Sequence, residues 1–271
     1  MAGAALGLAL PAGFWWQASL LGGALAALLG LIAQASLRER RVAAPLAVAL
    51  STALLLALFA GWRHFAALDQ ALLGLTQRLR SPALDDGMVR LTQLGDFAAQ
   101  LGAGVALVLL LALLRQWRAL LFAALALAGT ALANQGLKLL FARARPEILL
   151  RPLDSFSLPS GHSSAAFAFC LVLGVLAGRG APARIRLAWL LLASLPATAI
   201  ALSRIYLGVH WPTDVLAGAL LAGSLCALAL LLAQWRTPLP PAGRQRGWLL
   251  LPLVLLVLAS LLGAGTELYR Y

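Results

Sequence analysis

Charge is what this sequence has least of. Only 11% of its residues are Asp, Glu, Lys or Arg, where a soluble domain carries about 25%. Hydrophobic residues make up 62%, so the chain reads as an integral membrane protein. Acids are the scarcer sign, nine against 21 basic residues, which leaves few carboxylates to hold a hard cation such as Mg²⁺. Lysine is all but missing, Lys138 being the single one. The two cysteines, Cys170 and Cys226, both fall inside apolar runs. That excludes a disulfide scaffold and any zinc-type spacing, and marks them as packing residues. No Arg or Lys precedes Arg38, so the basic start of a signal peptide is lacking. The apolar runs are continuous instead of alternating, which excludes an outer-membrane barrel.

What is present is a set of long apolar stretches with arginine between them. Eight can be marked, near Phe14–Ala35, Val42–Trp62, Phe97–Leu114, Ala119–Phe141, His162–Ala177, Leu187–Leu202, Pro212–Trp235 and Trp248–Ala264. Most approach the roughly 20 residues that cross hydrocarbon. An all-α polytopic bundle of about eight membrane helices is expected. The net charge of +12 comes from arginines in short connections, the pattern that anchors loops beside anionic lipid. A bilayer is therefore the expected partner, and no nucleic acid is. The connections holding Arg38, Glu39, Arg40 and Arg41, then Arg115 and Arg118, then Arg179, Arg184 and Arg186, then Arg236, Arg244 and Arg246 are net positive and predicted cytoplasmic. The stretch from Arg63 to Asp96, both termini, the Lys138–His162 loop and the Ser203–Trp211 connection then face outward. Within the first of these, Phe65, Leu68, Leu72, Leu75 and Leu79 make a helical stripe, with Asp69, Gln77, Arg78 and Arg80 on other faces and Pro82 as a breaker.

Three clusters could carry chemistry. Lys138 and Arg145 are seven apart, two helical turns, so a continuing helix sets both on one face as a cationic clamp for phosphate. Membrane-end anchoring is the plainer reading, and it is the one given to Arg143 and Arg151. Pro159-Ser160-Gly161-His162 precedes an apolar helix whose N-terminus favours an anion. Ser160 can donate a hydroxyl and His162 a proton, or Ser160 or Ser163 simply caps the helix. In Ser203-Arg204…His210…Asp214, Arg204 is a third cation, and one helical turn joins His210 to Asp214. The carboxylate can hold one ring nitrogen and leave the other as a nucleophile or base; a structural pair is the rival. His64 reads as an interface residue, Glu147 and Asp154 as solvated loop residues.

Together these clusters have the form K-x₆-R-P, P-S-G-H and S-R-x₅-H-x₃-D. In that form and order they resemble the three-part signature of the type 2 phosphatidic acid phosphatase (PAP2) superfamily. Leu91–Asp96 (LTQLGD), Asn134–Pro146 and Ser203–Gly218 also look like bacterial members. The resemblance covers about 42–235, six helices, with 1–41 and 236–271 each adding one more. It implies a metal-independent, cofactor-free lipid phosphate or diphosphate phosphatase of the inner membrane. Its substrate would be undecaprenyl diphosphate, phosphatidylglycerophosphate or phosphatidic acid. His210 would form a phosphohistidine, Asp214 would orient it, and His162 would be the general acid. Lys138, Arg145, Ser160, Gly161 and Arg204 would bind the phosphate. A lipid phosphotransferase using the same site and a non-enzymatic lipid transporter are the alternatives.

Overall fold

The computed structural model describes residues 10–11, 13–38, 40–148 and 154–262. Side chains of 35–42, 244, 245 and 262 are not described. Glu39, Arg151 and the charged side chains of the first basic connection, Arg38, Arg40 and Arg41, therefore lie outside the described set, as does the tail after 262. Among the described residues the secondary structure is all helical. The helices are α1 (Phe14–Arg38), α2 (Arg40–Gly61), α3 (Ala66–Arg78), α4 (Pro82–Gln93), α5 (Phe97–Leu113), α6 (Trp117–Phe141), α7 (Gly161–Gly178), α8 (Ala183–Tyr206), α9 (Pro212–Ala233) and α10 (Leu250–Leu262).

Among the described residues six stretches are long and apolar enough to cross a membrane, or seven if the bent α4–α5 pair is one span. The apolar run after Asp96 gives α5 only 17 residues. It reaches spanning length only together with α4, from which it bends by 42°. The last expected run, Trp248–Ala264, continues past the described residues. The described part of that run forms a shorter apolar helix, Arg246–Leu261, which opens on a 3₁₀ turn over Gly243–Leu249. By contrast α8 starts before and ends after the predicted Leu187–Leu202, absorbing Arg184, Arg186 and Arg204. Arg184 and Arg186 are tolerated at its start because a long stem reaches past the apolar region, whereas Arg204 near its end turns into the protein.

α7 and α9 form the centre. Of their spanning residues 61% and 50% are buried, against 17% for α1 and α8, so α1 and α8 face lipid. α7 packs on α6, α8 and α9, and α9 on α2 and α6. Phe122, Phe169, Leu107 and Val172 fill the core between them. The outer surface carries exposed leucines such as Leu113, Leu132, Leu191 and Leu195, as a lipid-facing wall requires. Gly218 sets the register of α9 on α7. A Cβ there would stand 2.7 Å from the Ser160 carbonyl oxygen, so only glycine permits this approach.

α2, a short 3₁₀ turn (Trp62–Phe65) and α3 run on almost without a break over Ala43–Arg78, 36 residues. That is about 54 Å, well beyond the hydrocarbon thickness, so α3 extends past the core at the end where α8 stops. The predicted stripe is there: Phe65 and Leu68 are buried and Leu72 is half-buried, while Leu79 is exposed. Asp69, expected on a polar face, is instead only 1% exposed. Pro82 does break the run, as the first residue of α4 after the Ser81 cap. Arg80 pairs with Asp85 at 2.9 Å, and the Tyr206 hydroxyl donates to Asp85 at 2.8 Å. This ties the α3–α4 corner to the end of α8.

Candidate active site

The C-termini of α6 and α8 and the N-termini of α7 and α9 lie at one end of the bundle. That topology alone brings the three sequence clusters together. Lys138 and Arg145 do not share a helix face, contrary to the sequence expectation. Ala142 takes a left-handed conformation (φ 44°) and ends α6, so Arg145 arrives from the loop. Lys138 is buried, and its Nζ donates to the Phe156 carbonyl. Arg145 donates to the Ser155 carbonyl (2.7 Å), the Ser155 hydroxyl (2.8 Å) and the Val209 carbonyl (2.8 Å).

His210 is fully enclosed. Arg145 Nη1 lies 3.1 Å from its Nε2. A guanidinium has only donors, so Nε2 must carry the lone pair and Nδ1 the hydrogen. Nδ1 faces Asp214 Oδ2 at 3.5 Å and the Ser157 hydroxyl at 3.4 Å. Asp214 Oδ2 in turn accepts from the Trp211 N–H at 2.9 Å and from Ser157 Oγ. Burial holds the imidazole well below its ordinary 6.5, reinforced by the cations Arg145, Arg204 and Lys138 and by His162. The neutral ring therefore persists on acidification to pH values below the usual histidine range. With three histidines in the chain, an imidazole NMR titration reads this directly. One resonance, missing in H210A, remains unprotonated at pH 6.5; a His210 that titrates at or above that value contradicts the geometry.

His162, the second residue of α7, pairs through Nε2 with Asp96 Oδ1 at 2.9 Å. Gly95 makes this possible, since a Cβ at that position would lie 2.9 Å from His162 Cδ2 and 2.8 Å from Ile200 Cγ2. Arg204 is buried and donates to Thr92 Oγ1 at 2.7 Å. Ser160 is wholly buried; its hydroxyl accepts from Ser163 N–H (3.4 Å) and Oγ (3.0 Å), and its N–H donates to the Asp214 carbonyl at 2.9 Å. Its side chain is thus the α7 cap. Gly161 opens α7 beside Lys138: a Cβ would come within 4.0 Å of Lys138 Cε.

Arg143 is not the anchor expected. It is buried, with Nη1 2.6 Å from Asp214 Oδ1 and Nη2 2.7 Å from Asp69 Oδ2. Its guanidinium sits 4.5 Å from the Trp62 ring centre. Asp96, Ser157, Asp69 and Arg143 are the participants that sequence reasoning missed. Glu147 and Asp154 are exposed, as expected. Among the described residues no three His, Cys, Asp or Glu side chains form a group that could hold a metal.

The molecule is a multi-pass membrane protein with a buried, cation-lined site containing two histidines at one end of its bundle. The PAP2 superfamily pattern matches residues 119–238. Phosphatidylglycerophosphatase B of Bacillus subtilis is 33% identical over 162 residues, which cover 55% of this chain and 75% of that protein. The crystal structure of the transmembrane PAP2-type phosphatidylglycerolphosphate phosphatase from Bacillus subtilis superposes with a TM-score of 0.62 at 27% identity, covering 70% of this chain and 97% of that one. Aquifex aeolicus LpxE gives a TM-score of 0.46 at 31% identity over 58% of this chain and 90% of its own. The chain belongs to the PAP2 superfamily, on its membrane lipid-phosphatase side.

Proposed function

We propose that this protein hydrolyses a lipid phosphate or diphosphate through a phosphohistidine on His210, at the outer face of the inner membrane. The observation that carries the reading is the His210 Nε2 lone pair, turned toward Arg145 inside a ring of cations. In the first step Nε2 attacks phosphorus, the bond to the leaving oxygen breaks, and His162 gives that oxygen its proton. In the second step water attacks the phosphohistidine, His162 takes the water proton, and the P–N bond breaks to free inorganic phosphate. Lys138, Arg145, Arg204 and the Gly161 backbone hold the phosphoryl oxygens, whose charge grows in the transition state. Asp214 holds the Nδ1 hydrogen, and Asp96 balances His162 when it is charged. Ser160 contributes chiefly by starting α7 at the right place.

Leu139 and Leu140 are 74% and 73% exposed and Phe156 41%. This apolar surface lies beside Lys138, where a lipid tail can rest while its headgroup reaches the cations. Residues 42–235 would make up the catalytic core, with the flanking segments accessory to it. Among the three candidate lipids, the Bacillus relatives' names favour phosphatidylglycerophosphate.

Phosphate release in detergent tests both substrate and metal dependence. Phosphatidylglycerophosphate, an isoprenyl diphosphate and phosphatidic acid are compared with and without EDTA. The fixed cations do the work a metal would otherwise do, so chelation leaves the rate unchanged within about twofold. Loss of all activity in EDTA, restored by a divalent ion, would refute the mechanism; no release from any lipid would refute the function.

A further inference from the structure

Asp69 lies on α3, outside the segment that matches the family pattern, yet it is among the most deeply enclosed charges of the described residues. Its carboxylate accepts from Arg143 Nη2 (2.7 Å), the Thr213 N–H (2.9 Å) and the Thr213 hydroxyl (2.7 Å). Arg143 Nη1 donates to Thr213 Oγ1 at 2.8 Å and to Asp214 Oδ1 at 2.6 Å. The guanidinium is flanked by the rings of Trp62 and Trp211, 4.5 and 5.4 Å away. Arg143 thus occupies one oxygen of Asp214 and leaves Oδ2 facing His210.

We propose that Asp69 and Arg143 are positioning residues, a carboxylate–guanidinium brace that fixes the orientation and charge of Asp214 behind His210. It rests on the phosphohistidine reading. One guanidinium divided between two carboxylates cannot neutralise Asp214 fully, so Oδ2 stays a strong acceptor for the Nδ1 hydrogen. Without Asp69, the whole charge of Arg143 falls on Asp214, and Oδ2 polarises the nucleophile less. The hydrogen bonds of the brace all go to one another, to Thr213 and to Asp214. Its loss therefore slows phosphoryl transfer and leaves binding alone.

Asp69→Asn keeps the shape and removes the charge. The prediction is a fall in kcat on the order of 10- to 100-fold, the size that losing an outer hydrogen-bond partner has at metal sites. KM, and the affinity for inorganic phosphate measured by competition, stay at wild-type values. A kcat within twofold of wild type overturns the proposal. So does a parallel fall in kcat and phosphate affinity with a lowered melting temperature, which marks a structural role only. If Asp69→Asn does not fold, Thr213→Val, which removes the hydroxyl joining the brace, is judged by the same split between kcat and KM. A wild-type protein that releases phosphate from none of the lipids overturns the function and this proposal with it; an active wild type beside an unaffected variant overturns this proposal alone.

Discussion

Replacing His210 by alanine lowers kcat by at least about 10⁴-fold, the scale seen when a covalent nucleophile is removed from a site that otherwise stays intact. The fold supplies no substitute. The cations proposed to hold the phosphate are donors without lone pairs to offer, and the other clustered imidazole, His162, is engaged with Asp96. Phosphate binding survives in H210A, because Lys138, Arg145 and Arg204 belong to other elements. Competition by inorganic phosphate against a fluorescent lipid phosphate checks this. A variant retaining a tenth of wild-type turnover would remove His210 from the nucleophile's role.

Replacing His162 by alanine produces the second large loss, about 10²- to 10⁴-fold, the contribution of a positioned general acid. Its size depends on the leaving group. A glyceryl or isoprenyl oxygen departs poorly without a proton, whereas nitrophenolate departs without one. On nitrophenyl phosphate the H162A protein therefore gives a burst of about one nitrophenol per site, followed by slow turnover limited by hydrolysis of the phosphoenzyme. Equal losses on both substrates, with no burst, would show that His162 does not protonate the leaving group. Asp96→Asn, which keeps the imidazole but weakens its Nε2 partner, causes the same kind of loss to a smaller degree.

The residues that touch the proposed phosphate site were legible in the sequence because local spacing carries them. His210 and Asp214 are one turn apart, and Pro159–His162 opens a helix whose start is fixed by a serine cap. Their partners were not legible, because they come from distant elements. Arg143 looks like Arg145 and Arg151 in a basic run; only the approach of Asp69 from α3 makes it a buried brace. Leaving either carboxylate without that arginine would cost about 3–5 kcal/mol, so packing, not local sequence, decides its orientation. The available hint was Asp69 itself, an acid directly after the apolar Ala66-Ala67-Leu68 near the end of a spanning stretch. For Asp96 it was the Leu91–Asp96 stretch, noted without a role. Hydrophobicity marks apolar length, while helix ends follow turns, so the 42° bend between α4 and α5 was not legible in the run after Asp96.

The most direct measurement is chemical trapping of the intermediate. Protein mixed with ³²P-labelled lipid phosphate and quenched in alkali, where phosphoramidates persist, is digested and the labelled peptide sequenced. The expected label sits on His210, rises within one turnover and is absent from H210A. Label on any other residue, or a wild-type protein that turns over without ever becoming labelled, contradicts a covalent route through this imidazole.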